Sequence, residues 1–174
     1  MGYPIYSADK AVHDVLKKGG KAVVPLAKLF PGTLKKGSID RTLLGRMVFS
    51  NPRKLRQVER IIHPLIRTAE RSFLHEARKA KQRVAILEIP LLFETGGEKR
   101  CDITLCVTAP KNVQRARVLS RKGMNPQKLR AILERQMSDA EKRRKADYII
   151  PTGKGLTHTK RRLRALLSQL SLLP

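Results

Sequence analysis

Three short runs rich in β-branched and other apolar residues constrain this fold more than anything else in the chain: Arg83 to Ile89, Asp102 to Thr108 and Asp147 to Ile150. Each is apolar on both faces, without the alternation of a half-solvated strand, a pattern that suits a parallel sheet covered on both sides. Tyr3 to Tyr6 offers a fourth strand. Helical segments with clear punctuation lie between them. Asn51-Pro52 reads as N-cap and first position of a long helix with Leu55, Val58, Ile62 and Leu65 at helical spacing. His63-Pro64 should kink or break it, because proline lacks a backbone donor and disfavours helical geometry at the residue before. Pro110 opens a helix through Arg121, and Asn125-Pro126 opens another through Met137. Ser138 with Glu141 makes a capping box, and Thr157 caps a last helix striped by Leu163, Leu166, Leu167 and Leu170. Strands alternating with helices predict an α/β architecture with right-handed crossovers.

The 174 residues are enough for one domain that buries about two thirds of its unfolded surface. Residues 17–81 are expected to be all-helical, a cap over the sheet. Residues 110–146, two helices without a strand between them, form an arm or lid, and the remainder is core. No apolar run approaches the ~18 residues of a membrane span. The N-terminus lacks the basic start and apolar stretch of a secretory signal. Cys101 and Cys106 stand five apart in an expected strand and so face opposite ways, which points to unpaired thiols and a reducing cytoplasm.

A net charge of +24 first suggests a surface for polyanions, and nucleic acid is the rival partner. The charge is spread along the chain and does not gather in a tail. Aromatic residues are only 4%, so a stacking platform for single-stranded bases is poorly supplied.

Open parallel sheets bind ligands beyond the carboxyl ends of their strands. Ser7-Ala8-Asp9 follows the first strand, Pro90-Leu91-Leu92-Phe93-Glu94 the second, and Pro151-Thr152-Gly153 the last. The arm adds Gln114, Arg117, Arg121, Arg135 and Gln136. A carboxylate at a strand end facing an arginine-rich arm suits phosphoryl transfer: the acid orients or deprotonates a hydroxyl, and guanidiniums spread over the phosphate's charge. Each residue also has a plainer reading. Asp9 serves as a helix N-cap, Leu91 to Phe93 as core, and Arg117 and Arg121 as a solvated helix face. His63 reads as a helix-packing residue. His13, His75 and His158 do not cluster, so no metal site of protein nitrogens is expected. Glu88 and Glu94 flank the same strand end, and either is placed to hold Mg²⁺ through water.

The segments SADKAVHDVL, VFSNPRKLRQVERIIHPLIR, ILEIPLLFETGGE, VTAPKNVQRARVLSRKGM and ADYIIPTG, in this order and spacing, resemble bacterial dephospho-coenzyme A kinases, those of alphaproteobacteria above all. The likeness covers nearly the whole chain. It implies a P-loop kinase with a three-layer parallel sheet, a helical coenzyme-binding part and a lid. With Mg²⁺, such an enzyme moves the γ-phosphate of ATP to the ribose 3′-hydroxyl of dephospho-coenzyme A, the last step of coenzyme A synthesis. By matching position, the resemblance makes Asp9 the catalytic carboxylate and Leu91, Leu92 and Phe93 the acceptor wall. It makes Arg117 and Arg121 lid arginines facing ATP, and Thr152-Gly153 the turn beside adenine.

The chain departs from the family in one large respect. No G-x-x-x-x-G-K-[ST] loop occurs in it: Gly20-Lys21 is followed by Ala22, and Gly153-Lys154 by Gly155. In the family that loop lies ahead of the Asp-Ala-Asp strand, so the resemblance implies a chain short of its first strand, the loop and a helix, roughly 25 residues in all. Losing three charge-assisted hydrogen bonds to phosphate costs about 4.5–9 kcal/mol, and the chain by itself is expected to be inactive and poorly stable. A degenerate kinase kept as a scaffold is a further alternative. Ser7 stands where the family often has its first acid, and Pro151 where an acidic residue is usual.

Overall fold

The computed structural model describes residues 2–48, 51–134 and 136–172. The backbone groups into two units, Gly2–Pro90 and Leu91–Pro174, each built on its own pair of parallel strands.

In the first unit, β1 (Ile5–Ser7) runs parallel to β4 (Ile86–Glu88), with Ile5 opposite Ile86 and Ser7 opposite Glu88. The strand starts later than the apolar run because Pro4 has no amide to donate; its carbonyl instead accepts from Ile86 N at 2.9 Å. Helix α1 (Ala8–Leu16) follows β1 directly, and α2 (Val23–Leu29), α3 (Arg41–Val48) and α4 (Pro52–Lys79) build the rest. The stretch expected to be wholly helical also holds a short hairpin, β2 (Leu34–Lys35) with β3 (Ser38–Ile39). Its reversal is Lys36-Gly37, both at positive φ (48° and 79°), the geometry of a tight two-residue hairpin turn.

Leu16, Leu26, Phe30, Ile39, Leu44, Val58 and Ile62 form the core of this unit. Each such side chain stabilises the fold by roughly 1.5–3 kcal/mol on burial. Thr33 is fully buried among them, its hydroxyl donating to Phe30 O at 2.7 Å. Asn51 caps α4 as expected, its Oδ1 accepting from the amides of Arg53 and Lys54 at 3.1 Å each. Pro64 does not break α4, which runs unbroken over 28 residues. The helix is pinned on both sides of the proline: Ile62 is buried before it, Tyr6 Oη donates to Ile66 O at 3.0 Å after it, and the Tyr6 and Phe73 rings lie 5.7 Å apart.

In the second unit, β5 (Leu105–Thr108) runs parallel to β6 (Tyr148–Pro151), with Thr108 opposite Pro151. A reciprocal knot fixes this register. Asp147 Oδ2 accepts from Thr104 N at 2.7 Å and from Thr104 Oγ1 at 2.6 Å, and Asp147 N donates to Thr104 Oγ1 at 3.1 Å. Cys106 and Ile150 are buried, while Leu105, Val107 and Ile149 are exposed, Val107 at 65%. The apolar pattern predicted cover on both faces; within this unit one face is covered. Both cysteines are free, and Cys101 precedes β5 instead of lying in it.

The helices here are α5 (Lys111–Leu119), α6 (Pro126–Leu133), α7 (Asp139–Lys145) and α8 (Leu156–Gln169). Helix α6 stops at Leu133, short of the expected Met137. The amide of Met137, which one more helical turn would send to Leu133 O, donates instead to Glu94 Oε1 at 2.9 Å. The Ser138–Glu141 capping box forms as expected. Thr157 does not cap α8: Gly155 holds that position at φ 89°, which a side chain would resist, and Thr157 falls in the first turn. The leucine stripe of α8 is half-buried, as its spacing predicts.

Candidate active site

The β1–β4 register puts Ser7 beside Glu88 at the carboxyl end of the first strand pair, and α1 springs from that end. Asp9 lies in the first turn of α1 and is exposed. Ser7, not Asp9, occupies the N-cap position, and its side chain makes no capping bond. Asp9 is therefore spared the plain structural duty of capping, while the helix N-terminus favours its negative charge. His63 is exposed on α4, and no cluster of three metal-ligating side chains occurs among the described residues.

The second unit opens with the turn that bears Leu91, Leu92 and Phe93. Thr95 N donates to Leu91 O at 3.1 Å and Gly97 N to Leu92 O at 2.7 Å, closing the chain on itself. A Cβ at Gly97 would stand 2.7 Å from Leu92 Cδ1 and 3.1 Å from Leu92 O, so a side chain there would make Leu92 shift. The turn divides the three residues: Leu91 is 41% exposed, Leu92 is half-buried, and Phe93 is 8% exposed. Leu91 and Leu92 offer apolar surface to a ligand, whereas Phe93 packs the turn.

At the carboxyl ends of β5 and β6 lies a cleft of about 300 Å³ lined by Gln114, Arg117, Arg121, Gln136, Asp139 and Thr152, among others. Arg117 grips the Thr152 corner with both guanidinium nitrogens, Nη1 donating to Thr152 Oγ1 at 3.2 Å and Nη2 to Thr152 O at 2.8 Å. Thr152 N and Oγ1 both donate to Thr108 O, at 2.7 and 2.9 Å. The Thr108 hydroxyl donates to Asp139 Oδ1 at 2.6 Å, tying α7 to the end of β5. Gly153 follows Thr152 because a Cβ there would lie 2.7 Å from Pro110 Cδ. Arg117, Arg121 and Thr152 line this one cleft, Gly153 follows Thr152, and the Arg117 guanidinium is partly spent on Thr152, which the sequence did not foresee. Arg135 lies outside the described residues. The Cys106 thiol, which also lines the cleft, is pushed up by burial and by nearby Asp139.

Glu94 is the residue whose part the sequence reading missed. Its Oε1 accepts from Lys142 Nζ at 2.8 Å as well as from Met137 N, and the paired side chains are only 19% and 16% exposed. Burial pushes this carboxyl up, but the Lys142 ammonium, its own backbone amide and the Met137 amide outweigh it and hold the group below the usual carboxylate range. Glu94 Oε1 is thus engaged by Lys142 and Met137, while Glu88, the other flanking acid, is exposed. The only sequence signal was an acid directly after an apolar turn, 48 residues from its lysine.

A family model described as dephospho-CoA kinase matches residues 1–157. A dephospho-CoA kinase of Rhodopseudomonas palustris (strain HaA2) is 43% identical over 173 residues, 99% of this chain and 86% of that protein. One from Paramagnetospirillum magneticum is 49% identical over 143 residues, 82% of this chain and 68% of its own length. Among solved structures, a crystal structure from Thermus thermophilus superposes with a TM-score of 0.81 at 34% identity, covering 97% of this chain and 85% of the other. The dephospho-CoA kinase of Campylobacter jejuni gives 0.71 at 28% identity, covering 98% and 86%. The architecture is accordingly that of the P-loop kinases, and the chain belongs to the dephospho-CoA kinase family.

Proposed function

We propose that this chain carries the acceptor and nucleotide machinery for phosphorylating the ribose 3′-hydroxyl of dephospho-coenzyme A with ATP, giving coenzyme A. The observation that carries the reading is within the second unit: an exposed Leu91-Leu92 surface and an arginine-bearing cleft at the strand ends are joined through Glu94. Leu91 and Leu92 wall the acceptor, with Phe93 bracing them from the core. Arg117 and Arg121 face the nucleotide phosphates, and the Thr152-Gly153 turn sits against adenine. Asp9 orients or deprotonates the ribose hydroxyl, the role a carboxylate takes in phosphoryl transfer. The donor set suits Mg²⁺ carried on nucleotide phosphates and water, since the exposed Asp9 and Glu88 are single carboxylates and not an all-protein cage. When bound, Mg²⁺ would neutralise charge on the transferring group.

Residues 17–81 serve as the helical substrate-binding part and residues 110–146 as the lid. A water-soluble acceptor places the work in the cytoplasm, and no helix among the described residues is long and apolar enough to cross a membrane. Calorimetric titration tests the acceptor assignment. Dephospho-coenzyme A binds saturably, and Leu91→Asp abolishes that binding while the fold stays intact. Steeply salt-dependent binding of duplex oligonucleotides, with no heat from dephospho-coenzyme A, would replace this reading with the nucleic-acid one.

A further inference from the structure

We propose that Glu94 is a positioning residue, a charged latch that holds the α6–α7 junction to the acceptor turn and thereby sets one wall of the nucleotide cleft. This rests on the assignment of that cleft to the nucleotide. The junction carries Gln136, Met137, Asp139 and Lys142, all of which line the cleft. Two carboxylates fix it. Asp139 ties it to Thr108 of β5, so that contact keeps the wall on its own strand. Glu94 ties it to the turn of Leu91, Leu92 and Phe93, through Met137 N and Lys142 Nζ.

The chemistry at this point is poorly suited to simple packing. A leucine or methionine would fill the same space without the desolvation that a largely buried carboxylate suffers. Glu94 Oε2 is buried and without a hydrogen-bond partner, so the charge is sustained from its other oxygen. The anchor is nonetheless well aimed. Phe93, one residue earlier, is buried and fixes the backbone from which Glu94 projects. The amide Glu94 captures lies just beyond the end of α6 at Leu133 and just ahead of α7, so the carboxylate holds the chain between the two helices. A ligand that shifts the acceptor turn therefore pulls on the nucleotide wall, and the reverse.

The test uses the 174-residue chain. Glu94→Gln keeps the size and one acceptor oxygen but removes the charge. Amide exchange at Met137 should rise ~10- to 100-fold, the loss expected when a charge-assisted bond becomes a neutral one. Cys106 and Ile150 amides in the strand pair should keep their protection. In wild type the protection of Met137 N should fall as pH drops through the Glu94 carboxyl range, and Glu94→Gln should remove that step, a dependence that packing alone does not produce. In ATP titrations followed at the Thr152 amide, on the chain with a strand–GxxxxGK[ST]–helix segment joined ahead of residue 1, Glu94→Gln should weaken binding about 5- to 10-fold. If wild type shows no ATP response at Thr152, the nucleotide assignment fails while the exchange result still decides the latch. Unchanged Met137 exchange in Glu94→Gln, or the same pH step in Glu94→Gln as in wild type, overturns the proposal. Should Glu94→Gln fail to fold, Lys142→Met gives the same reading from the other partner.

Discussion

Leu91 and Phe93 stand two residues apart in one turn, and truncating each should give opposite results. Phe93 is 8% exposed, so Phe93→Ala removes a buried ring and costs about 3–5 kcal/mol. At about 2–4 °C per kcal/mol for a chain of this size, its melting temperature should fall ~6–20 °C. Leu91 is 41% exposed, so roughly three fifths of its side-chain area leaves water on folding. A fully buried leucine contributes about 1.5–3 kcal/mol, and alanine retains part of it, so Leu91→Ala should cost about 0.5–1 kcal/mol, or ~1–4 °C. If Leu91 walls the acceptor, its loss should instead appear in binding, with dephospho-coenzyme A affinity falling about tenfold, worth ~1.4 kcal/mol. Scanning calorimetry and titration calorimetry on the two variants measure both quantities. Leu91→Ala with unchanged acceptor affinity, or Phe93→Ala with an unchanged melting temperature, would refute the division of the turn into a ligand face and a packing face.

Thr104→Val removes the hydroxyl that donates to Asp147 and receives its amide; at 6% exposure the change should cost about 1.5–3 kcal/mol and raise amide exchange across β5 and β6. Acid should loosen the second unit. The Glu94 and Asp147 carboxyls are held below their usual range, Asp147 chiefly by the Thr104 hydroxyl, so their stabilisation is complete above that range and drains away as pH falls through it and below; Thr104 and Met137 amide exchange followed against pH reads this directly. Arg117→Lys should leave stability nearly unchanged, because the side chain is exposed, yet weaken ATP binding about tenfold. A single ammonium does not reproduce the two-nitrogen grip on Thr152, and nucleotide titration measures the difference.

Much of this fold was legible because its signals are local. Strand runs, the Asn51 and Asn125 caps and the Ser138 capping box depend on neighbours within four residues, and all appear in the structure. Predictions failed where a distant partner intervened. Pro64 stays inside α4 because buried contacts on both sides hold it, and past the early end of α6 the Met137 amide is taken by Glu94, 43 residues away in sequence. The hairpin at Lys36-Gly37 hid inside a lysine-rich stretch whose strands are two residues each, too short for any alternation. At the site, residue types at strand ends suggested Asp9 and Thr152, and the basic arm suggested Arg117. The Glu94–Lys142 pair and the Thr104–Asp147 knot left no trace, since hydrogen bonds across 43 and 48 residues have no periodicity to betray them.

The central claim, that these residues serve phosphoryl transfer to dephospho-coenzyme A, is tested most directly by following γ-phosphate from ATP onto the acceptor. The chain is assayed alone and with a strand–GxxxxGK[ST]–helix segment joined ahead of residue 1. With the segment, phosphate should arrive at the ribose 3′-hydroxyl, and Asp9→Asn should lower the rate ~10²- to 10⁴-fold. Alone, the chain should be slower by at least about three orders of magnitude, for want of the phosphate-cradling amides. Equal rates with and without the segment, or phosphate on any other position or acceptor, would contradict the account.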